Sequence, residues 1–259
     1  MTSPSTPASP ANAARATDPA PSTVVRSTSA SFTSAPSTSA TPGDRSLADL
    51  PLADLDWLTS TLLADVGAFA MASRINPVDP ESRAYGPALT VSVPPGDNLA
   101  IHLALTLGRP GDVLIVDGQG YTERALMGGI MCTQAKATGF AGVIIDGAIR
   151  DQLELKKLGL PVFAAASHPA GPTKKGDGAV LHPVVCAGAP VEPGDWIFAD
   201  ADGVAVLPAA RKGDLLAKAR AKFDREQARM DAIAAGALTP PWLEGELAKA
   251  EISVGQRPE

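Results

Sequence analysis

The stretch GGIMCTQAKATGFAGVIIDGAIRD, residues 128–151, predicts a helix followed by a buried strand. A glycine pair opens the helix, Gly139 is placed to end it, and the apolar run after it is typical of a strand. Arg150 and Asp151 follow that strand directly. In open parallel α/β sheets, strand C-terminal ends and helix N-termini face the same crevice. The stretch therefore predicts an α/β fold with an active site at this edge.

The glycine pair predicts a place where a ligand can approach the backbone. Gly128 and Gly129 have no β-carbons, and the N–H groups of Ile130 and Met131 belong to the first turn, which has no intrahelical partners. Such donors, together with the helix dipole, suit a carboxylate or a phosphate. Paired glycines also serve close packing alone, and this feature by itself does not separate the two interpretations.

Arg150 and Asp151 supply complementary chemistry at the end of the strand. An arginine fork binds a carboxylate and stabilises an adjacent enolate, whereas an aspartate is a hard oxygen ligand for a divalent cation. A lone Arg–Asp pair is usually a surface ion pair, but its place after an apolar strand favours a functional role. The chain has 3 histidines, so a carboxylate-and-water site for Mg²⁺ or Mn²⁺ is favoured over a histidine zinc site.

The remaining patterns predict a strand-rich middle with interspersed helices and one helix at each end. His102, on a predicted helix, is interpreted as a packed or partly exposed side chain rather than a catalytic one. Asp200 and Asp202 resemble the start of a calcium loop but are better explained by a hairpin turn. The predicted helices are 47–72, 99–107 and 212–235, and the main predicted strands are 86–93, 112–118, 160–165 and several between 179 and 208.

Composition limits the organisation and the partners. Ser, Thr, Pro and Ala fill 35 of the first 46 positions, so residues 1–46 are predicted to be a disordered tail and 47–259 a single domain with a C-terminal helical extension. A net charge of −6 argues against nucleic acid or an anionic membrane as partner. No apolar run is long enough to span a bilayer, which predicts a cytoplasmic protein. Cys132 and Cys186 are expected to be reduced, buried thiols.

Several motifs together resemble the RraA-like family, which includes the class II 4-hydroxy-4-methyl-2-oxoglutarate aldolases. The resemblance covers roughly 55–230 and implies a layered β/β/α sandwich of the swivelling-domain type. It also implies a homotrimer or a hexamer with active sites between subunits, and Mg²⁺- or Mn²⁺-dependent cleavage of 4-hydroxy-2-oxo dicarboxylic acids to pyruvate, together with oxaloacetate decarboxylation. The motifs are GPALTV, DNLAIHLALTLGRPGDVLIVDGQG, ALMGGIM, GFAGVIIDGAIRD, LPVFA and PGDWIFADADGVAVLP.

The resemblance also implies roles for individual residues. The substrate-cradling loop falls on Gly128, Gly129, Ile130 and Met131, the substrate-binding arginine on Arg150, and the metal-binding aspartate on Asp151. A catalytic glutamate from the neighbouring subunit falls, by spacing, on Glu226. One position departs from the aldolase pattern, which has an acid 21 residues before the arginine, where this chain has Gly129. Asp117 or Glu123 are candidates to replace that acid.

The implied reactions share a pyruvate enolate, with the metal at Asp151 and the enolate oxygen at Arg150. Decarboxylation removes no hydroxyl proton, so the loss of an acid at 129 is expected to affect it less than aldol cleavage.

Two alternative functions remain. A Schiff-base aldolase would need a desolvated lysine, with Lys136, Lys174 and Lys175 as weak candidates in polar or loop contexts. RraA-like proteins also include non-catalytic regulators that bind an RNA-degrading endonuclease. A third activity associated with the family, quinone methylation, is not supported, because no glycine-rich nucleotide loop followed by a ribose-binding acid is evident.

Overall fold

The computed structural model describes residues 54–257; the predicted tail 1–46 and the start of the first predicted helix lie outside this range. Eleven strands and six α-helices follow one another within it. The strands are β1 Phe69–Ala70, β2 Asn76–Pro77, β3 Ala84–Ser92, β4 Val113–Met127, β5 Gly142–Ile149, β6 Val162–Ser167, β7 Ala179–Val180, β8 Val184–Cys186, β9 Ala189–Val191, β10 Trp196–Asp200 and β11 Gly203–Leu207. The helices are α1 Ser60–Asp65, α2 Leu99–Leu107, α3 Gly129–Thr138, α4 Gln152–Leu158, α5 Lys212–Ala234 and α6 Leu243–Leu247.

A mixed sheet forms the centre of the described domain, in the order β1-β11-β10-β3-β4-β5-β6-β2, with β7 on the edge of β3. Strands β3, β4, β5 and β6 are parallel to one another, whereas β10 pairs antiparallel with β3 and β11, and β2 pairs antiparallel with β6. All eight residues of β5 are buried. A strand covered on both faces needs apolar residues at consecutive positions, which explains the continuous run GVIIDGAI.

Three apolar clusters hold the layers together. On one face of the parallel strands, α2, α3 and α4 bury Ile101, Cys132 and Leu155 against the sheet. On the other face, the β8–β9 ribbon and the antiparallel strands cover residues such as Ile144 and Phe163. The third cluster joins α1 and α5 to β10 and β11. This arrangement is the layered α/β sandwich of the swivelling-domain type that was predicted.

The prediction of one helix over 47–72 is wrong for most of the residues that the structure describes. Helix α1 covers only Ser60–Asp65, with the Thr59 hydroxyl accepting a hydrogen bond from the Leu62 N–H at 3.2 Å. Gly67, with φ of 98°, ends this turn, and Phe69–Ala70 then pairs with β11 as a strand. The apolar spacing that predicted a helix instead reflects burial of separate short segments, because strand pairing outweighs the local helical preference.

Other boundaries also differ from the prediction. Strand β4 does not end at 118 but continues to Met127, with register shifts along its pairing with β5, so the segment GQGYTER, residues 118–124, is part of a bulged strand and not a loop. Helices α4 and α6 were not predicted. The helix over 99–107 and the long C-terminal helix are confirmed, the latter ending at Ala234.

Two further predictions concern the thiols and membranes. Cys132 and Cys186 are both free and buried, as expected, and burial raises the pKa of Cys132 to about 12. In the part of the chain that the structure describes, no helix combines the length and apolar character needed to cross a bilayer. The cytoplasmic location stays a prediction.

Candidate active site

The ends of β4 and β5 bring the two halves of the predicted site together. These strands are parallel neighbours in which Met127 pairs with Ile149, so the chain leaves both strands at the same edge. The Arg150 N–H donates to the Met127 carbonyl at 3.0 Å, which extends the contact by one residue. Helix α3 therefore begins beside Arg150 and Asp151, as the sequence predicted.

Asp151 connects the two halves directly. Its Oδ2 atom accepts a hydrogen bond from the Gly129 N–H at 2.9 Å and lies 3.7 Å from Arg150 Nε. Asp151 precedes α4 in the left-handed conformation, with φ of 62° and ψ of 38°, which is uncommon outside glycine and tolerated by aspartate. Because Asp151 occupies the Gly129 N–H, the donors of the first turn that remain for a ligand are those of Ile130 and Met131.

Gly128 is glycine for a steric reason. A β-carbon at this position would lie 2.6 Å from Asp151 Oδ2 and 2.8 Å from Arg150 Cγ. Any larger residue would separate the Arg–Asp pair from the helix start. The close-packing and ligand-cradling interpretations of this glycine are therefore compatible, since the close approach is what forms the cradle.

Glu154 is a candidate site residue that the sequence interpretation missed. A β-carbon on Gly129 would lie 2.9 Å from Glu154 Oε2 and 3.6 Å from Asp151 Oδ2, so both carboxylates face the space that a side chain at 129 would fill. Glu154 lies on α4, three residues after Asp151, and its N–H donates to the Asp151 carbonyl at 2.9 Å. The spacing of an acid three residues after a helix-capping residue was a usable signal, but α4 had not been predicted.

Asp117 and Glu123, the two candidate replacements for the missing acid, lie away from Gly129. Asp117 is half-buried on β4, where burial raises its pKa and its Oδ1 accepts from the Gln119 N–H at 3.0 Å. Glu123 is exposed on the same strand and contacts Thr122. Neither lines the cavity beside Arg150 and Asp151. The structure therefore places an acid beside Gly129, but from α4 rather than from β4.

A cavity of about 150 Å³ opens at the start of α3. Its lining includes all four residues of the predicted cradle, Gly128 to Met131, as well as Arg150 and Asp151. Helix α2 adds Asn98 and His102, and the segment after β6 adds Pro172 and Lys174. Two cations, Arg150 and Lys174, thus line one small cavity, which suits a small ligand with more than one anionic group.

Two side chains of this cavity have buried polar atoms without a hydrogen-bond partner in the described part of the chain, Asn98 Oδ1 and His102 Nε2. Asn98 is 1% exposed, and its amide nitrogen donates to the Leu126 carbonyl at 2.9 Å. Burial and then the charge of Lys174 lower the pKa of His102, so its imidazole is neutral near pH 7. Unpartnered buried polar atoms are costly, and a ligand in the cavity would satisfy them.

The donor set fits a hydrated Mg²⁺ or Mn²⁺. Residues 54–257 contain no group of three or more His, Cys, Asp or Glu side chains placed to hold a metal ion. Asp151 and Glu154 nevertheless converge on the space beside Gly129. Magnesium commonly keeps several waters and takes one or two protein carboxylates, with the remaining ligands from substrate. Two carboxylates next to an anion-binding helix start satisfy that requirement.

Glu226 is not part of the cavity of its own chain. It lies on α5 in an ion pair with Lys222, at 2.9 Å, and Lys222 also contacts Asp65 at 3.1 Å. Its contribution to a neighbouring subunit's site stays a prediction.

The layered fold and the Arg–Asp–Glu set beside a glycine-opened helix define a class of α/β protein with a site for small anionic ligands at the strand ends. Comparison with known families narrows that class. The family model RraA-like, described as Aldolase/RraA, matches residues 56–206. The chain belongs to the RraA-like family.

Individual relatives show the same relationship. The chain is 39% identical over 178 residues to a Halalkalibacterium halodurans protein named "Putative 4-hydroxy-4-methyl-2-oxoglutarate aldolase", covering 68% of this chain and 85% of that protein. The RNA-processing inhibitor RraA from Thermus thermophilis is 33% identical, with a TM-score of 0.54 over 58% of this chain and 93% of its own. Streptomyces coelicolor RraAS2, an unusual member of the RNase ES inhibitor RraA family, is 26% identical, with a TM-score of 0.61 over 71% and 96%.

Proposed function

We propose that this protein is a divalent-metal-dependent lyase that cleaves 4-hydroxy-2-oxo dicarboxylic acids of the 4-hydroxy-4-methyl-2-oxoglutarate type to pyruvate and decarboxylates oxaloacetate. The observation that carries the proposal is the convergence of Asp151 and Glu154 on the space beside Gly129, with Arg150 next to them. The names of relatives such as the Halalkalibacterium protein support the same reaction class.

Substrate binding uses the start of α3. The 2-oxo acid carboxylate is held by the N–H groups of Ile130 and Met131, where the helix dipole favours negative charge. Arg150 stabilises the oxygen that becomes the enolate, since its planar cation lines the cavity beside the Asp151 carboxylate. The second carboxylate of the substrate lies towards Lys174, the other cation of the cavity.

Asp151 would hold a hydrated Mg²⁺ or Mn²⁺, which leaves the Glu154 carboxylate beside Gly129 for proton transfer. When bound, the ion supplies Lewis-acid polarisation of the keto group. Asp151 is already oriented by the Gly129 N–H, and its second oxygen carries no hydrogen bond within residues 54–257. That free oxygen is the atom assigned to cation binding.

Glu154 performs the proton chemistry that the aldolase pattern assigns to an acid at 129. In retro-aldol cleavage, Glu154 Oε2 takes the proton of the 4-hydroxyl through a water, and the C3–C4 bond breaks. The bonding pair forms the pyruvate enolate, and the second product leaves as a carbonyl compound. The proton held by Glu154 then passes through the water to the enolate carbon, which gives pyruvate and restores the Glu154 carboxylate. In oxaloacetate decarboxylation the same bond breaks with release of CO₂, and only the final protonation is needed.

Assembly into a homotrimer or a hexamer is part of the proposal. Leu99, Leu103 and Leu107 are spaced four residues apart on α2 and are 46 to 53% exposed. Ile130, at the mouth of the cavity, is 86% exposed. An apolar stripe beside an open site is consistent with a second copy that covers it and donates Glu226.

The second candidate is a non-catalytic regulator that binds a protein such as an RNA-degrading endonuclease. It is favoured by the likeness to the Thermus RNA-processing inhibitor RraA and to Streptomyces RraAS2, a member of the RNase ES inhibitor RraA family. The net charge of −6 suits a basic protein partner and does not suit nucleic acid.

The deciding experiment measures pyruvate release from oxaloacetate and from 4-hydroxy-4-methyl-2-oxoglutarate with Mg²⁺ or Mn²⁺. We expect release faster than with metal alone, and loss of the excess in Asp151→Ala. Asp202→Ala, an exposed aspartate of the β10–β11 turn, is the matched control. No metal-dependent excess in the parent protein would reject the lyase and favour the regulator. Inactivation by borohydride in the presence of pyruvate would instead indicate a Schiff-base lysine.

A further inference from the structure

Asp97 is a buried aspartate outside the cavity that connects the two segments forming one of its walls. It is 3% exposed, and its Oδ2 atom accepts three hydrogen bonds from residues 173–176. The donors are Thr173 Oγ1 at 2.7 Å, the Lys175 N–H at 2.7 Å and the Gly176 N–H at 3.0 Å. One oxygen therefore accepts three hydrogen bonds from a single short segment.

The other oxygen of Asp97 holds the start of α2. Asp97 Oδ1 accepts a hydrogen bond from the Leu99 N–H at 2.9 Å. Backbone bonds reinforce the junction, because the Asn98 N–H donates to the Thr173 carbonyl at 3.1 Å and the Thr173 N–H to the Gly96 carbonyl at 2.9 Å. The contact is close enough that a β-carbon on Gly176 would lie 3.1 Å from the Asp97 carboxyl carbon.

Both segments joined by Asp97 carry cavity residues. Asn98 and His102 lie on the α2 side, and Pro172 and Lys174 lie on the other. Lys174 is between two residues that are hydrogen-bonded to Asp97, so its backbone is held on both sides. Lys174 is exposed, and a long lysine side chain is flexible unless its surroundings hold it in place.

We propose that Asp97 is a positioning residue that fixes Lys174 against Asn98 and His102, so that this wall recognises the second carboxylate of a dicarboxylic substrate. The inference rests on the proposed lyase function and extends it to substrate selection. Asp97 does not touch the substrate. It acts through Lys174, whose cation is the cavity's second anion-binding group after Arg150.

Asparagine cannot reproduce this junction. Hydrogen-bond donors face both carboxylate oxygens of Asp97, one on the Leu99 side and three on the Thr173–Gly176 side. An asparagine offers one acceptor oxygen and one NH₂ group, so an N–H would meet an N–H on one side in either orientation. Asp97→Asn is therefore expected to release either the α2 start or the segment that carries Lys174.

The test compares two substrates of the same cleavage that differ in the second carboxylate, 4-hydroxy-4-methyl-2-oxoglutarate and 4-hydroxy-2-oxopentanoate. We expect Asp97→Asn to raise KM for the dicarboxylate by about tenfold, with KM for the monocarboxylate and both kcat values changed by less than about twofold. In a Lys174→Ala background, Asp97→Asn should cause no further increase, because the two residues act as one unit.

A second variant addresses the case in which Asp97→Asn does not fold. Thr173→Val removes one donor to Asp97 Oδ2 and is expected to give a smaller rise in the same KM alone. Thr106→Val, on the exposed face of α2, is the matched control. Equal rises in KM for both substrates, or additive effects with Lys174→Ala, would overturn the positioning role. An inactive parent protein would instead reject the lyase proposal itself.

Discussion

The Oε2 atom of Glu154 lies 2.9 Å from the point that a β-carbon on Gly129 would occupy. The aldolase pattern has its acid at 129, at the start of α3, whereas this chain has an acid in the first turn of α4 that reaches the same space. A carboxylate therefore reaches the space beside Gly129 from α4. We propose that Glu154 takes the role of the acid that the aldolase pattern has at 129.

The position of this acid is testable by moving it. Glu154→Gln keeps the shape of the side chain and removes its charge, so kcat for 4-hydroxy-4-methyl-2-oxoglutarate is expected to fall about 10²- to 10⁴-fold, the usual contribution of general acid–base catalysis. Gly129→Asp combined with Glu154→Ala should recover a large part of that loss, because Glu154→Ala removes the atom that a 129 side chain would meet. Steady-state pyruvate release measures both.

Glu123→Gln is the matched control for this series, since Glu123 is an exposed glutamate that does not line the cavity. It should leave kcat unchanged. A fall in kcat for Glu123→Gln with none for Glu154→Gln would show that the catalytic acid lies on β4 and not on α4.

Arg150 should matter through its fork geometry as well as its charge. Arg150→Lys keeps a cation but loses the planar donors, and we expect kcat for oxaloacetate decarboxylation to fall about 10²- to 10³-fold, as for loss of one oxyanion donor. Arg109→Lys, at an exposed position outside the cavity, serves as control. Full activity of Arg150→Lys would mean that a point charge is sufficient and that the proposed enolate contact is wrong.

Acid stability should depend on Asp97. Burial raises the pKa of this carboxyl, but its hydrogen bonds to Thr173, Leu99, Lys175 and Gly176 outweigh burial and hold the pKa well below its ordinary value. An aspartate with a depressed folded pKa stabilises the protein above its unfolded pKa of about 3.9, and this stabilisation is lost as pH falls towards the folded value. Asp97→Asn should therefore lower the free energy of unfolding near neutral pH by about 1 to 3 kcal/mol.

Urea unfolding between pH 7 and pH 2.5 measures this effect. The parent and Asp97→Asn curves should approach one another below about pH 4, where the parent loses the contribution of the carboxylate. Asp202→Asn, at an exposed turn, should parallel the parent throughout. A constant difference between the parent and Asp97→Asn across the whole range would show that the charge of Asp97 does not contribute.

The cavity electrostatics can be measured without any turnover. Burial and then the Lys174 charge lower the pKa of His102. Lys174→Ala removes the second of these causes, so the His102 pKa should rise towards its ordinary value but stay depressed by burial. NMR titration of the imidazole protons reports the shift. Lys175→Ala is the control, and an equal shift in that variant would indicate a general surface-charge effect rather than proximity of Lys174 to the cavity.

The sequence by itself determined the features that depend on local chemistry. The run GVIIDGAI requires burial on both faces, and Gly139 ends α3 in the left-handed conformation, with φ of 92°, that glycine adopts readily. These signals located Arg150 and Asp151 at a strand end beside the helix start. The family motifs supplied the layered architecture.

Tertiary structure alone decided which other residues join this site. Glu154 reaches Gly129 because α3 and α4 follow neighbouring parallel strands, and Asp97 meets Thr173 although 76 residues separate them. The 55–70 region formed only a short helix because strand pairing with β11 replaced the helical hydrogen bonds that its periodicity favoured. Local patterns record the burial of each segment but not its partner, since the partner is fixed by packing between distant parts of the chain.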